Sequence, residues 1–89
     1  MEKRKRRIQS FYDIEIDLHG KNTGEAISII EETVFANGPA GILIIHGKGD
    51  GILRREIRKY LSESKHVKSV LPGEENNISG GDGVTVVYT

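Results

Sequence analysis

Two histidines, each followed at once by glycine and each closing an apolar run, are the residues of this chain most suited to chemistry. They are His19 in IDLHG (Ile16 to Gly20) and His46 in IIHGKGDG (Ile44 to Gly51). An imidazole gives and takes a proton near neutral pH, its ordinary pKa being about 6.5, so two of them suit acid–base cleavage. Asp17, two residues before His19, is the kind of group that orients an imidazole or binds a divalent ion. After His46 the chain reads HGKGDGILRR. Glycines such as Gly47 and Gly49 bare backbone N–H groups, and the start of a helix adds partial positive charge suited to phosphate. Lys48, Arg54 and Arg55 add full charges. Cations in a first helical turn oppose the macrodipole by about 0.3–1 kcal/mol each, so folding does not ask for the two arginines there. The stretch reads as an anion cradle. The plainer reading is a tight glycine turn with arginines reaching into water.

Other signatures are missing. A Walker lysine needs Ser or Thr directly after it, yet Lys48 precedes Gly49; the dinucleotide pattern fails at Ile52; HExxH is absent. Asp17, His19 and His46 could still form a loose site for a divalent cation such as Mg or Mn. Each histidine alone also has a sober explanation, capping a strand end or hydrogen-bonding a nearby loop. His66, between Lys65 and Val67, has no such context and reads as a surface residue.

The elements that must position these groups are legible from periodicity. Ile14, Ile16 and Leu18 alternate with Glu15, Asp17 and His19, a half-buried strand that puts Asp17 and His19 on the same, non-core side. Asn22 with Glu25 resembles a capping box, and Ala26, Ile27, Ile30 and Val34 recur at helical spacing, so a helix is predicted over 23–37, stopped by Gly38 and Pro39. Gly41 to Ile45 fits a central strand buried on both sides. Leu53, Ile57, Tyr60 and Leu61 mark a second helix running to about Ser64. Val67 to Leu71 and Val84 to Tyr88 read as further strands, joined by the turn-rich stretch from Pro72 to Gly83. The order is βαβαββ, an α/β two-layer sandwich with a four-stranded mixed sheet and both helices on one face. If the first two strands are parallel neighbours, their turns open on one edge, and Asp17, His19, His46 and Lys48 can converge on one phosphate.

At 89 residues the chain has room for one core. Cysteine is absent, which excludes disulfides and thiolate metal sites and leaves the cytoplasm as the default location. The longest apolar stretch, Gly41 to Ile45, falls far short of the roughly 20 residues of a membrane span. The formal net charge of zero hides an asymmetry. Residues 3–7 are KRKRR, so residues 1–12 read as a basic arm or linker, solvated or bound to nucleic-acid backbone, with the folded domain over 13–89. Between His46 and Lys68 seven bases face three acids, a local excess that attracts a polyanion.

DLHG at 17–20, HGKGDGILR at 46–54 and GGDGVTVV at 80–87, in this order, resemble the Smr (small MutS-related) domain. The resemblance implies a sandwich like the C-terminal domain of translation initiation factor three, and nuclease activity on DNA or RNA. It also implies occurrence alone or at the C-terminal end of MutS-like ATPases of the second bacterial subfamily, with roles in DNA recombination and repair control or in rescue of collided ribosomes. Asp17 and His19 match the acidic and His positions of its first motif, His46 to Gly49 match HGxG, and Arg54 matches the base that follows. Some members carry Arg in place of the first-motif His; this chain keeps the His, as expected of a cleavage-competent member.

The expectation is therefore an endonuclease domain in which Gly47, Lys48, Gly49, Arg54 and Arg55 hold phosphate, His19 and His46 share proton transfer, and Asp17 orients an imidazole or binds a metal ion. Its partners would be DNA or RNA, the ribosome and the ATPase part of a parent protein, with no membrane. The alternatives are a non-catalytic module docking on nucleic acid or ribosomes, and a plain globular domain.

Overall fold

The computed structural model describes residues 12–89. Most of the arm lies outside them. Strand β1 (Ile14–Asp17) is followed by helix α1 (Thr23–Asn37), strand β2 (Gly41–Ile45), helix α2 (Ile52–Glu63), strand β3 (Ser69–Pro72) and strand β4 (Val84–Tyr88). Two single 3-10 turns, Gly73–Glu75 and Gly81–Gly83, punctuate the loop between β3 and β4. The βαβαββ order and the mixed four-stranded sheet are as the sequence pattern predicts.

Within the sheet the order is β1-β2-β4-β3. β1 runs parallel to β2, with Asp17 opposite Ile45, so the two strands end flush. β4 is antiparallel to β2, with Val84 opposite Ile45, so its beginning lies at that same edge. Three connections therefore emerge together: the turn after β1, the turn after β2 and the turn before β4.

Each element forms for a local reason. The Asn22 side chain accepts the Glu25 N–H (2.8 Å), and the Glu25 carboxylate accepts the Asn22 N–H (3.2 Å), a complete capping box that starts α1. Gly38, at φ +63°, ends that helix. β2 is buried along Gly41 to Ile44, as a central β-branched run should be. β3 begins two residues later than expected, because Val67 donates its N–H to Ser64 O and closes the turn after α2. Pro72, without an N–H, ends β3 on the sheet edge, where proline is tolerated.

Both helices pack on one face: Ala26 and Ile30 of α1 and Ile57 and Leu61 of α2 bury against Leu18, Ile42, Ile44 and Val87. Fully burying a side chain of this size contributes about 1.5–3 kcal/mol. The opposite face, with Leu43, Val84 and Val86, is covered by Ile78 from the β3–β4 loop and by Tyr12, a residue assigned to the arm from sequence. Among the described residues, no helix is long and apolar enough to cross a membrane.

Candidate nucleic-acid interface

The strand-end turns bring Asp17 and His19 into direct contact. His19 Nδ1 lies 2.6 Å from Asp17 Oδ1, and the His19 N–H donates to the same oxygen at 3.2 Å. These two bonds hold the Asp17 carboxyl below the usual carboxylate range. With a carboxylate as partner, Nδ1 must carry the hydrogen, which leaves Nε2 of the neutral ring with a free lone pair. The His19 side chain is 71% exposed, so that lone pair is open to solvent.

Glycine makes the neighbouring turn fit. Gly47 adopts φ +82°, and a Cβ there would lie 3.3 Å from His19 Cβ, so the HGKG turn runs close beside the first histidine. Next to it Lys48 Nζ and Arg54 Nη1 converge on one carboxylate, that of Asp82, at 3.6 and 3.3 Å. Arg55 does not join them; it points elsewhere, 3.6 Å from Glu56. Gly49 has φ +36° with open space around it.

His46 departs from the expected role. It is 3% exposed. Nδ1 lies 3.1 Å from Gly47 O, which can only accept, so Nδ1 carries the hydrogen and Nε2 is the acceptor. Thr85 Oγ1, 2.9 Å from Nε2, donates its hydroxyl proton there while accepting from Arg58 Nε at 2.8 Å. Burial pushes the proton affinity of this imidazole down, and the Arg58 and Arg54 charges add to that, against the opposing effect of the Gly47 bond. Both ring nitrogens are engaged inside the protein, so the ring is placed as a strut fixing the glycine turn to β4 and α2, where the sequence pattern has it facing substrate beside His19.

Part of the amide cradle is occupied: Gly83 O accepts from both His46 N–H (3.0 Å) and Gly47 N–H (2.9 Å). The Ile52 N–H at the start of α2 goes to Asp50 Oδ1 at 3.1 Å. Charge at this corner therefore comes from side chains more than from bare glycine amides.

The family model for the Smr domain matches residues 16–89. The chain belongs to the Smr domain family. It is 42% identical over 88 residues to Endonuclease MutS2 of Finegoldia magna, covering 94% of this chain and 11% of that protein. With Endonuclease MutS2 of Streptococcus gordonii it shares 40% over 75 residues, covering 81% of this chain and 9% of the relative. The crystal structure of the Smr domain of Thermus thermophilus MutS2 superposes with a TM-score of 0.70 at 38% identity, covering 85% of this chain and 96% of that one. The chain thus spans about a tenth of the length of the curated relatives it matches.

Four residues of this Smr domain escaped the sequence reading. Arg58 grips Glu74 with two 2.8 Å bonds and also donates to Val84 O at 3.1 Å. Its guanidinium holds the Glu74 carboxyl down to about 2. Arg58, Glu74, Thr85 and His46 form one chain of hydrogen bonds joining α2, the β3–β4 loop, β4 and the HGKG turn. Asp82, the fourth missed residue, has its signal inside GGDG, an acidic residue between glycines that could turn back on a basic loop.

Among the described residues, no three His, Cys, Asp or Glu side chains gather to hold a metal ion. Asp17 and His19 are adjacent, but His46 spends its ring nitrogens elsewhere, so the three-ligand divalent site considered from sequence is not assembled.

Proposed function

We propose that this Smr domain binds nucleic acid and cuts its backbone endonucleolytically, the activity named in its MutS2 relatives. The observation that carries the reading is the exposed Asp17–His19 pair opening beside Lys48 and Arg54 on one sheet edge. Asp17 orients the ring and stabilises the imidazolium that forms when Nε2 takes a proton. On RNA that proton comes from the 2′-hydroxyl and on DNA from a water; the oxygen so freed attacks phosphorus, a backbone P–O bond breaks, and the imidazolium returns its proton to the leaving oxygen. Lys48 and Arg54 stabilise the charge developing on the phosphoryl oxygens. His46 acts through Gly47 and is a positioning residue. The domain would serve as one module of a longer cytoplasmic protein, an ATPase acting in recombination, repair or ribosome rescue.

The test is nicking of supercoiled plasmid and cleavage of structured RNA, with and without chelator. General acid–base groups contribute about 10²–10⁴-fold, so His19→Ala should lower the rate by roughly that factor while leaving the fold intact. Full activity in His19→Ala would reject the mechanism. A second reading, a docking module that binds without cutting, is favoured by one observation: with His46 enclosed, a single imidazole remains to serve as both base and acid. Binding with no product in the same assay would select it.

A further inference from the structure

The Gly81–Gly83 turn fills the corner assigned above to phosphate, and it does so with both backbone and side chain. Its Gly83 carbonyl takes two loop amides, at 3.0 and 2.9 Å. Its Asp82 carboxylate places one oxygen 3.6 Å from Lys48 Nζ and the other 3.3 Å from Arg54 Nη1, cations from two different elements. The turn sits tightly: a Cβ on Gly83 would lie 3.3 Å from Lys48 Cγ. Two oxygens of one anion bridging a lysine and an arginine is also how the non-bridging oxygens of a phosphodiester would engage the same pair.

We propose that Asp82 is an internal occupant of the anion site, which nucleic-acid phosphate must displace, so that this one carboxylate sets the affinity and salt dependence of binding. The inference rests on the reading of Lys48 and Arg54 as phosphate contacts. Exchange is physically accessible. The Lys48, Asp82 and Arg54 side chains are 70, 44 and 30% exposed, and ion pairs so open to water are weak and screened. Once displaced, Asp82 stays tethered within a few ångströms as a like charge, inside the roughly 10 Å over which charges interact at 0.1 M salt. A carboxylate that merely held the two cations ready would have the opposite sign: removing it would loosen them and weaken binding.

Fluorescence anisotropy with a short labelled single-stranded DNA and its RNA counterpart separates these accounts, with inorganic pyrophosphate as competitor. Asp82→Asn, which keeps the size and one acceptor oxygen but removes the charge, should tighten binding of both nucleic acids by roughly 3- to 10-fold at low salt, the gain vanishing at high salt. Asp82→Ser should behave alike, and pyrophosphate should compete at lower concentration against either variant. In a Lys48→Ala, Arg54→Ala background the Asp82→Asn effect should disappear. Equal or weaker binding by both variants, with thermal melting confirming their folding, overturns the inference while leaving wild-type binding and cleavage intact. Failure of wild type and variants alike to bind either probe overturns the functional reading with it.

Discussion

Replacing Thr85 by valine tests whether the buried chain from His46 to Glu74 holds the site together. Thr85 is fully buried, and its hydroxyl is the single link between His46 Nε2 (2.9 Å) and Arg58 Nε (2.8 Å). Valine has the same shape and no hydroxyl. It would strand an acceptor on a ring that is 3% exposed and a donor on a guanidinium whose side chain is 19% exposed. Each buried group left unpaired costs about 1–3 kcal/mol. Arg58 keeps Glu74 and Val84 O, which puts its share at the low end, so Thr85→Val should cost about 3 kcal/mol in all. Serine keeps the hydroxyl and loses a methyl, about 1 kcal/mol. Since 1 kcal/mol moves the midpoint of a domain this size by about 4–8 °C, Thr85→Val should fall by roughly 12–24 °C and Thr85→Ser by roughly 4–8 °C. Differential scanning calorimetry and urea unfolding read this directly. Packing alone predicts the reverse ranking, so a serine variant no more stable than the valine one would refute the hydrogen-bond account.

Stability should fall with acid in two stages, followed by urea midpoints against pH. His46 has a folded pKa below its ordinary 6.5, so the unfolded state takes up the proton first and stability declines as pH drops below that value. Glu74, held at about 2 against an ordinary 4.5, contributes stability present above 4.5 and lost as pH falls toward 2; half-open to water, it should contribute modestly. His46→Gln should remove the first stage and leave the second. Two glycines should separate steric from conformational cost in thermal melts. A Cβ on Gly73 would fall 2.1 Å from Gly81 O and 2.6 Å from Val84 Cγ2, so Gly73→Ala should cost about 3 kcal/mol or prevent folding. Gly20, at φ +83° with open space around it, should cost only about 1–2 kcal/mol as alanine. Asp17→Asn should lower cleavage with little change in stability, because the Asp17–His19 pair is exposed; a large loss of stability there would argue for a structural role.

The local patterns were legible because local physics sets them. The alternation around Ile16 assigned Asp17 and His19 to one side of β1, and the Asn22–Glu25 box marked the start of α1. Arg58 was hidden, since an arginine on a basic helix looks like one more solvated charge until Glu74 and Thr85 arrive from distant parts of the chain. Ile78 was hidden as well, a lone apolar residue in a polar loop that covers one face of the sheet.

The sequence by itself determined the elements, their order and the exposed Asp17–His19 pair, because strand periodicity and a two-residue separation are enough to place those groups together. Only the tertiary structure decided that His46 is enclosed and that Asp82 sits on Lys48 and Arg54. Those contacts span 28 to 39 residues of chain and depend on β4 inserting antiparallel beside β2. Burial and long-range pairing follow from which elements pack together, and no local pattern encodes that.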